Sequence, residues 1–377
     1  VVSILVVYSS TAKMAYDISS RFTTTQSLRQ QIMLVLLCIP AIVMVHKIDW
    51  KVFYRLTPAL YWLFVGLTAA TYFIGTSTND AARWIAIGSI QFQPSEGLKV
   101  MTILMLARRM STRQGNINKI HLLPTSFRIT EPQQMRIIRE NTWPLVGPVL
   151  LSCGVVVTAH TSSAVLIFIA SLIMLYIGRV RIRELMKLTA VACVLGILLM
   201  SVLRIGRADV AGGRLSTWVK EWTTSEVPRN SYSMSDTQRA MIAIREGGLF
   251  GEGAGHSTTR ALVTHPESDY AYSFFISEYG LVIALILMML YLWIFFRSIE
   301  IFRACSVPFP ALMTLGLGLL VTCQALLHIM VQVNLIPETG QNLPLISRGG
   351  SSLLFTTLTL GMILSVSRTN ELGEGRA

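Results

Sequence analysis

A small group of ionisable residues lies directly before one of the long apolar runs of the chain. His265, Glu267 and Asp269 precede the run that begins at Tyr272. Carboxylate and imidazole groups are the side chains that proteins use most often for proton transfer. A carboxylate at this point can instead cap the N-terminus of the following helix. Because Asp269 ends the longest polar segment of the chain, we predict that it is a functional residue.

Other polar side chains fall inside apolar runs, where an ionisable group costs roughly 2.5–3.5 kcal/mol at mid-membrane. Glu96 and Lys99 are three residues apart on one helical face, so they form either a local ion pair or the polar wall of a cavity open to the outside. Glu278 either bonds a neighbouring helix or lines the same cavity. For the i, i+4, i+8 stripe of polar residues on the ninth run, we favour interhelical hydrogen bonds over substrate contact. That stripe consists of Gln324, His328 and Gln332.

The elements that must position these residues are membrane helices. Of the 377 residues, 52% are hydrophobic and only 14% are charged, whereas soluble domains contain about 25% charged residues. We therefore predict an all-α polytopic membrane protein with about ten transmembrane helices, forming one domain over residues 1–377. Val1 already lies inside an apolar run, so we expect the natural N-terminus to be missing. The predicted runs are 1–8, 31–45, 60–74, 94–108, 143–159, 164–177, 188–203, 272–296, 311–336 and 353–366.

The charge pattern predicts the topology. The net charge of +12 arises mainly from Lys and Arg in short loops, which indicates cytoplasmic loops rather than nucleic-acid binding. The large polar segment 204–270, between helices seven and eight, then lies outside the cell. It contains one helical pattern, 235–245, with Ser235 or Asp236 as N-cap. The glycines at 247–255 that follow either bring backbone amides close to a phosphate or form a flexible loop tip. We predict no strand-rich region, and neither the five cysteines nor the histidines have the spacing of a metal site.

Three stretches in order along the chain resemble one family. They are ARWIAIGSIQFQPSEGLK (82–99), IREGGLFGEGAGHS with HPESDYAYSFFISEYGL (244–281), and NLIPETGQNLPLISRGGSS (334–352). The whole chain resembles the SEDS family, the FtsW, RodA and SpoVE group, and is most similar to the division-type FtsW branch. It departs from the family pattern at 159–166 (AHTSSAVL), at His328 and at Arg348.

The resemblance implies a peptidoglycan glycosyltransferase that polymerises lipid II at the outer face of the bacterial cytoplasmic membrane. It also implies a class B penicillin-binding protein as partner, together with other divisome or elongasome proteins. An essential acidic residue of the family matches Asp269. Motif matches make Trp84, Glu96 and Lys99 functionally important.

Lipid II has an α-linked pyrophosphate and the polymer is β-linked, so the transfer inverts the sugar once. We expect Asp269 to act as the base toward the incoming hydroxyl, and positive charge to stabilise the leaving pyrophosphate. That charge comes from a divalent cation such as Mg²⁺ or Mn²⁺, or from basic side chains. The alternatives are a transporter of the lipid-linked precursor, whose internal repeats and midplane polar sites are not evident here, and a scaffold for a partner enzyme. The basic candidates are Lys99, Arg207, Arg214, Arg245, Arg260 and Arg348.

Overall fold

The structure is a computed structural model, which describes residues 2–11, 24–74, 76–78, 81–87, 90–115, 138–157, 160–203, 208–223, 234–257, 263 and 265–373. Within these residues the chain forms twelve α-helices, and each of the ten predicted apolar runs falls on one of them. A short π-helical turn, Ile138–Thr142, leads into the fifth. The helices are α1 Val2–Thr11, α2 Thr24–Lys47, α3 Trp50–Ile74, α4 Pro94–Ser111, α5 Trp143–Val157, α6 Thr161–Ile177, α7 Ile182–Leu203, α8 Ala208–Thr223, α9 Asp236–Gly247, α10 Ala271–Ala304, α11 Pro308–Gln332 and α12 Gly350–Glu371.

Five of these helices are long and apolar enough to cross a bilayer, namely α2, α3, α10, α11 and α12. Two shorter helices, α1 and α6, are also apolar. The chain is therefore a helical, multi-pass membrane protein, as predicted. The number of ten crossings stays a prediction.

The prediction that the chain has no strand-rich region was wrong. Three strands between residues 76 and 92 form an antiparallel sheet in the order β1-β2-β3. Thr76 pairs with Trp84, and Ile85 pairs with Phe92. The pattern in the sequence is short, but isoleucines and an aromatic residue alternate on both sides of a Gly-Ser pair, which is typical of a hairpin. The strands are β1 Thr76–Thr78, β2 Ala81–Ile87 and β3 Ile90–Phe92.

The described part of the long polar segment contains two helices, one of which was not predicted. The predicted one is α9, and Ser235 caps it as expected: its Oγ accepts the Gln238 N–H at 3.1 Å. The Gln238 side chain accepts the Ser235 N–H in return, which completes a capping box. The other helix is α8. It was not predicted because its apolar residues are spread among polar ones.

The chain folds into two compact units. The first unit consists of residues 1–43, 209–294 and 321–358, and the second of 44–208, 295–320 and 359–377. Aromatic and aliphatic side chains of α10 and α11 form the core of the first unit, among them Phe274, Phe275 and Ile329. The predicted single domain stays a prediction.

Close helix contacts and a buried polar chain hold the second unit together. A Cβ at Gly97 would lie 2.2 Å from the Phe64 ring, so a side chain there would force this ring to move, and the glycine lets α4 pack closely on α3. Thr102 on α4 donates a hydrogen bond to Ser152 on α5 at 2.8 Å, and Ser152 donates to Tyr61 on α3 at 3.2 Å. Without a hydrophobic driving force in lipid, small residues and such polar bonds are what hold helices together.

Candidate active site

Asp269 lies in a tight turn, residues 265–270, that leads into α10 in the first unit. His265 adopts the left-handed conformation, with φ 50°, and its carbonyl accepts the Ser268 N–H at 3.1 Å. A positive φ is uncommon for a residue other than glycine and persists only where the surroundings enforce it. The turn is therefore a defined structure rather than a loose approach to the helix.

Three successive carbonyls of this turn are held by the segment that runs from the end of α11 to the start of α12. The Gln332 amide donates to the Asp269 carbonyl at 2.8 Å. The Ser347 hydroxyl donates to the Ser268 carbonyl at 2.8 Å, and the Arg348 N–H donates to the Glu267 carbonyl at 2.7 Å. Because these bonds fix the backbone of the turn, they also fix the point from which the Asp269 side chain extends.

The polar stripe on α11 supports the same loop. Gln324 donates to the Asn342 carbonyl at 3.0 Å, and Nδ1 of His328 donates to the Gln341 carbonyl at 2.6 Å. All three members of the stripe are buried. The predicted interhelical bonds were wrong in one respect: these side chains bond loop carbonyls, which need donors because no helix or sheet satisfies them.

The Asp269 carboxylate accepts no hydrogen bond from any residue that the structure describes, and it is partly exposed. α10 begins at Ala271, two residues further on, so Asp269 does not cap that helix. Burial raises the pKa of Asp269, and the negative charges of Glu267 and Glu338 raise it further, against the opposing effects of His265 and Arg214. A carboxylate that has a raised pKa and no donor among these residues is suited to accept a proton.

Beside it, His265 and Glu267 form an ion pair, with 3.7 Å between Nδ1 and Oε1. The Glu267 carboxylate, as acceptor and as neighbouring charge, raises the pKa of His265 despite partial burial. Burial raises the pKa of Glu267, but His265 and the charge of Arg348 outweigh this effect and lower it. The pair favours the ionised form of Glu267 and the protonated form of His265 next to Asp269.

Glu338 is a further acidic residue of this site, which was not predicted from the sequence. Its Oε1 accepts hydrogen bonds from the Tyr270 hydroxyl at 2.6 Å and from the Thr237 hydroxyl at 3.0 Å. Its carbonyl lies 3.5 Å from an Arg214 guanidinium nitrogen. Burial, followed by the charge of Glu338, raises the pKa of Tyr270. The only sign in the sequence was an ionisable residue within the motif NLIPETG.

The helix α8 brings Arg214 to this cluster. The indole nitrogens of Trp218 and Trp222 both donate to the Asn334 carbonyl, at 3.1 and 3.0 Å. The Asn334 amide donates to Glu221 at 3.1 Å. Arg214 is four residues before Trp218, on the same face of the helix. The two tryptophans thus anchor the helix that presents Arg214.

The glycine cluster is bonded to a break in α10. Gly280 interrupts that helix with φ 82° and ψ 167°. The carbonyls of residues 277 and 278 accept the Glu252 and Gly253 N–H groups at 2.9 and 3.0 Å. Glu278 accepts the Gly255 N–H at 2.9 Å and a hydrogen bond from Ser9 of α1. Since these amides already have partners, neither a phosphate cradle nor a free loop tip describes this segment.

Trp84, Glu96 and Lys99 all belong to the second unit. Lys99 Nζ lies 2.8 Å from Glu96 Oε1, and the two side chains are only 2% and 9% exposed. The ion-pair alternative is therefore the one that the structure contains. Trp84 lies half-buried on β2. Because Glu96 is in the first turn of α4, the helix dipole also stabilises its negative charge.

The remaining basic candidates differ in their surroundings. Arg348 is half-buried and lies 3.4 Å from the Gln30 side chain, whereas Arg245 is exposed on α9. Arg207 and Arg260 lie outside the described residues. In the part of the chain that the structure describes, no group of three or more His, Cys, Asp or Glu side chains is arranged to hold a metal ion.

The fold and the site define a multi-pass membrane protein in which loops between helices present a cluster of acidic and basic groups at one end of a helical unit. The family model described as "Cell cycle protein", for FtsW, RodA and SpoVE, matches residues 1–372. The chain therefore belongs to the FtsW, RodA and SpoVE family.

Curated relatives and solved structures agree with this family. "Probable peptidoglycan glycosyltransferase FtsW" of Caulobacter vibrioides is 29% identical over 85% of this chain and 76% of its own length. Stage V sporulation protein E of Bacillus subtilis is 27% identical over 78% of this chain and 74% of its own length. RodA of Thermus thermophilus matches 97% of this chain and 93% of its own with a TM-score of 0.60 and 21% identity. A chain from a peptidoglycan synthase complex, studied for its coordination of polymerization and crosslinking, matches 97% of this chain and 95% of its own length, with a TM-score of 0.67 and 20% identity.

Proposed function

We propose that the chain is a peptidoglycan glycosyltransferase that polymerises lipid II into glycan strands. The family and the names of its curated relatives support this activity. The observation that supports it best within the structure is the Asp269 carboxylate, which has no hydrogen-bond donor among the described residues although its backbone is fixed by the segment 332–348.

In the proposed reaction, Asp269 is the general base. It accepts the proton of the acceptor sugar hydroxyl while that oxygen forms a bond to the anomeric carbon of the donor. The bond from the same carbon to the pyrophosphate breaks, and its electron pair leaves with the pyrophosphate. Such a displacement inverts the anomeric centre in one step and needs no protein nucleophile. The raised pKa of Asp269 makes it a stronger base than an ordinary aspartate.

Arg214 and Arg348 are our proposed partners of the leaving pyrophosphate. Both guanidinium groups act on the acidic cluster: Arg214 lowers the pKa of Asp269 and Arg348 lowers that of Glu267. A guanidinium can bind two phosphate oxygens at once. Arg207, Arg245 and Arg260 stay proposed contacts of the pyrophosphate. A divalent cation brought in with the substrate is a further proposal, and a loss of activity on chelation with EDTA would support it.

We also retain Trp84, Glu96 and Lys99 as proposed substrate contacts. The buried Lys99 ammonium already has Glu96 as partner. A substrate phosphate that binds Lys99 must therefore displace or share this carboxylate. On that basis Glu96→Gln should strengthen phosphate binding at Lys99 if the pair only restrains the lysine, and weaken it if Glu96 positions the ammonium.

The proposed setting is septal wall synthesis at the outer face of the bacterial cytoplasmic membrane. The FtsW names of the curated relatives support the division role, and the basic short loops support the orientation. A class B penicillin-binding protein is the proposed partner, together with other division proteins. The fold of a chain from a peptidoglycan synthase complex is in keeping with this assignment.

The test is polymerisation of lipid II by the purified full-length chain with its transpeptidase partner. We expect Asp269→Asn to lower the rate about 10²- to 10⁴-fold, the usual contribution of a general base. Glu246→Gln, which alters an exposed carboxylate of the same unit, is the matched control and should leave the rate unchanged. A normal rate for Asp269→Asn, in protein with an unchanged melting temperature, would assign the base to another residue.

The transporter alternative has a separate measurement. Interrupted helices are typical of transporters, and α10 is interrupted at Gly280. However, the carbonyls freed there bond to the loop 248–253, so they are not available to a substrate. Vesicles that contain the chain should produce glycan from externally added lipid II. Movement of lipid II between leaflets without any glycan would favour the transporter instead.

A further inference from the structure

A cavity of about 540 Å³ opens in the second unit, whereas Asp269 and its turn belong to the first. It lies where α3 begins, α4 ends and α11 begins. Three aromatic rings form its apolar wall. The Tyr54 ring meets Phe309 edge-on with centroids 4.9 Å apart, and Trp50 lies 6.3 Å from the same ring. Because Phe309 is only 2% exposed, this wall is already packed without a ligand.

Positive charge surrounds the cavity. Lys51 and Arg55 line it one helical turn apart, and both are exposed. The Arg108 guanidinium lies 4.5 Å from the centre of the Tyr54 ring. No described carboxylate lies within 4.0 Å of any of these three cations. The neighbouring Asp49 carboxylate accepts the Lys51 backbone N–H at 3.0 Å, as a helix cap does.

Two further arginines add to this charge at the end of α4. Burial, followed by the positive charge of Arg109, lowers the pKa of Arg113. The Arg109 and Arg113 guanidinium groups therefore lie close enough to repel each other. Ser111 and Thr112 form a polar part of the cavity wall, but their hydroxyls already donate to carbonyls of α4. Recognition of a ligand would therefore come from the cations.

We infer that this cavity binds the phosphate of an anionic phospholipid headgroup, with the glycerol and upper acyl chain against Trp50 and Tyr54, whose rings pack on the buried Phe309. Basic loops and interfacial aromatic residues are general features of the cytoplasmic membrane surface and attract anionic lipid diffusely. A preformed cavity, with cations at its rim that no described carboxylate neutralises, predicts something more specific, namely one retained lipid per chain. The inference does not depend on the proposed transferase activity.

The experiment titrates the purified full-length chain, in a neutral detergent, with phosphatidylglycerol or phosphatidylcholine and counts bound lipids by native mass spectrometry. We expect one phosphatidylglycerol to bind at least tenfold more tightly than phosphatidylcholine. The double variant K51Q/R55Q should weaken it on the order of thirtyfold, since each interfacial cation contributes a factor of about five in binding. The control Arg183→Gln removes an exposed cation on the same predicted side of the membrane and should have no effect.

A second variant separates a defined site from diffuse attraction. Val307→Trp narrows the cavity that Val307 lines and keeps every charge, so it should weaken binding of the preferred lipid if the site is real. Unchanged lipid binding in Val307→Trp, or an equal loss in Arg183→Gln, would overturn the inference. Inorganic phosphate in large excess should not displace the lipid. Displacement would identify free phosphate as the ligand and refute the lipid assignment. Melting curves of each variant confirm that it is folded.

Discussion

The contact between Gly280 and the loop 248–253 allows a quantitative prediction. At Gly280, φ 82° and ψ 167° lie in a region that only glycine occupies readily, and an alanine there costs about 1–3 kcal/mol. Its Cβ would also lie 2.4 Å from the Leu249 carbonyl oxygen, 2.5 Å from the Phe250 carbonyl carbon and 2.6 Å from the Gly251 nitrogen. All three are backbone atoms, so the loop itself must move.

Movement of the loop breaks some of the four backbone hydrogen bonds between it and α10. Each broken bond costs about 1 kcal/mol. With about 2 kcal/mol of strain and one lost bond, Gly280→Ala should lower the free energy of opening by about 3 kcal/mol, which corresponds to amide exchange roughly 100-fold faster. The reporters are the N–H groups of Glu252, Gly253, Leu281 and Val282.

The assay is hydrogen–deuterium exchange of the full-length protein in lipid nanodiscs. Gly212→Ala is the matched control, because that glycine is exposed on α8 and a Cβ there would meet nothing within 4 Å. Polymerisation by Gly280→Ala should also fall, since this loop follows α9, whose Thr237 bonds Glu338. Exchange of the four amides at the wild-type rate in Gly280→Ala would refute the proposed contact.

Three further predictions concern the Asp269 cluster. The rate of polymerisation should fall as pH drops through the raised pKa of Asp269, because a protonated carboxylate cannot act as base. In the pH–rate profile, Arg214→Gln should move this fall to higher pH, because the charge of Arg214 lowers the pKa of Asp269. Glu338→Gln should move it to lower pH, because the charge of Glu338 raises that pKa. A shift of the profile in the same direction in both variants would contradict the assigned effects of the two charges. Tyr270→Phe removes the 2.6 Å bond to Glu338 and should destabilise the fold by about 1–2 kcal/mol in a thermal melt, unlike Tyr8→Phe, which alters an exposed tyrosine of α1. Because the pKa of His265 is raised, its pair with Glu267 stabilises the fold fully below the ordinary histidine pKa of about 6.5, and this contribution should disappear as pH rises through the raised pKa. His265→Gln should abolish this pH dependence, measured by amide hydrogen exchange in the turn 265–270.

The apolar runs by themselves determined ten of the twelve helices in the described residues. In a bilayer each backbone polar group must bond within its own segment, so a run of about 15 to 25 apolar residues has helix as its only stable choice. The predicted and observed bounds of these helices differ at ends near the membrane surface. For example, α3 begins at Trp50 rather than at residue 60. Lys51 and Arg55 interrupt the apolar pattern there, although their long side chains can reach water from a helical backbone.

Local polar patterns also predicted the start of α9, because a capping box involves residues only three positions apart. They did not predict the sheet between residues 76 and 92 or the helix α8. The short strands are stable only as a paired set, and the tryptophans of α8 bond a carbonyl more than 110 residues away. The sheet depends on the joint pairing of three short strands within residues 76–92, whereas α8 depends on a partner that no local window contains.

The site shows the same division. Its acidic residue Asp269 was evident from its place at the end of the polar segment, and the polar stripe on α11 was evident from its helical spacing. Only the tertiary structure decided which groups they contact. Gln332, Ser347 and Arg348 fix the Asp269 turn from at least 63 residues away, and Glu338 joins it through Tyr270 across 68 residues. Hydrogen bonds of that separation depend on how the chain folds back on itself, which residue type and spacing do not encode locally.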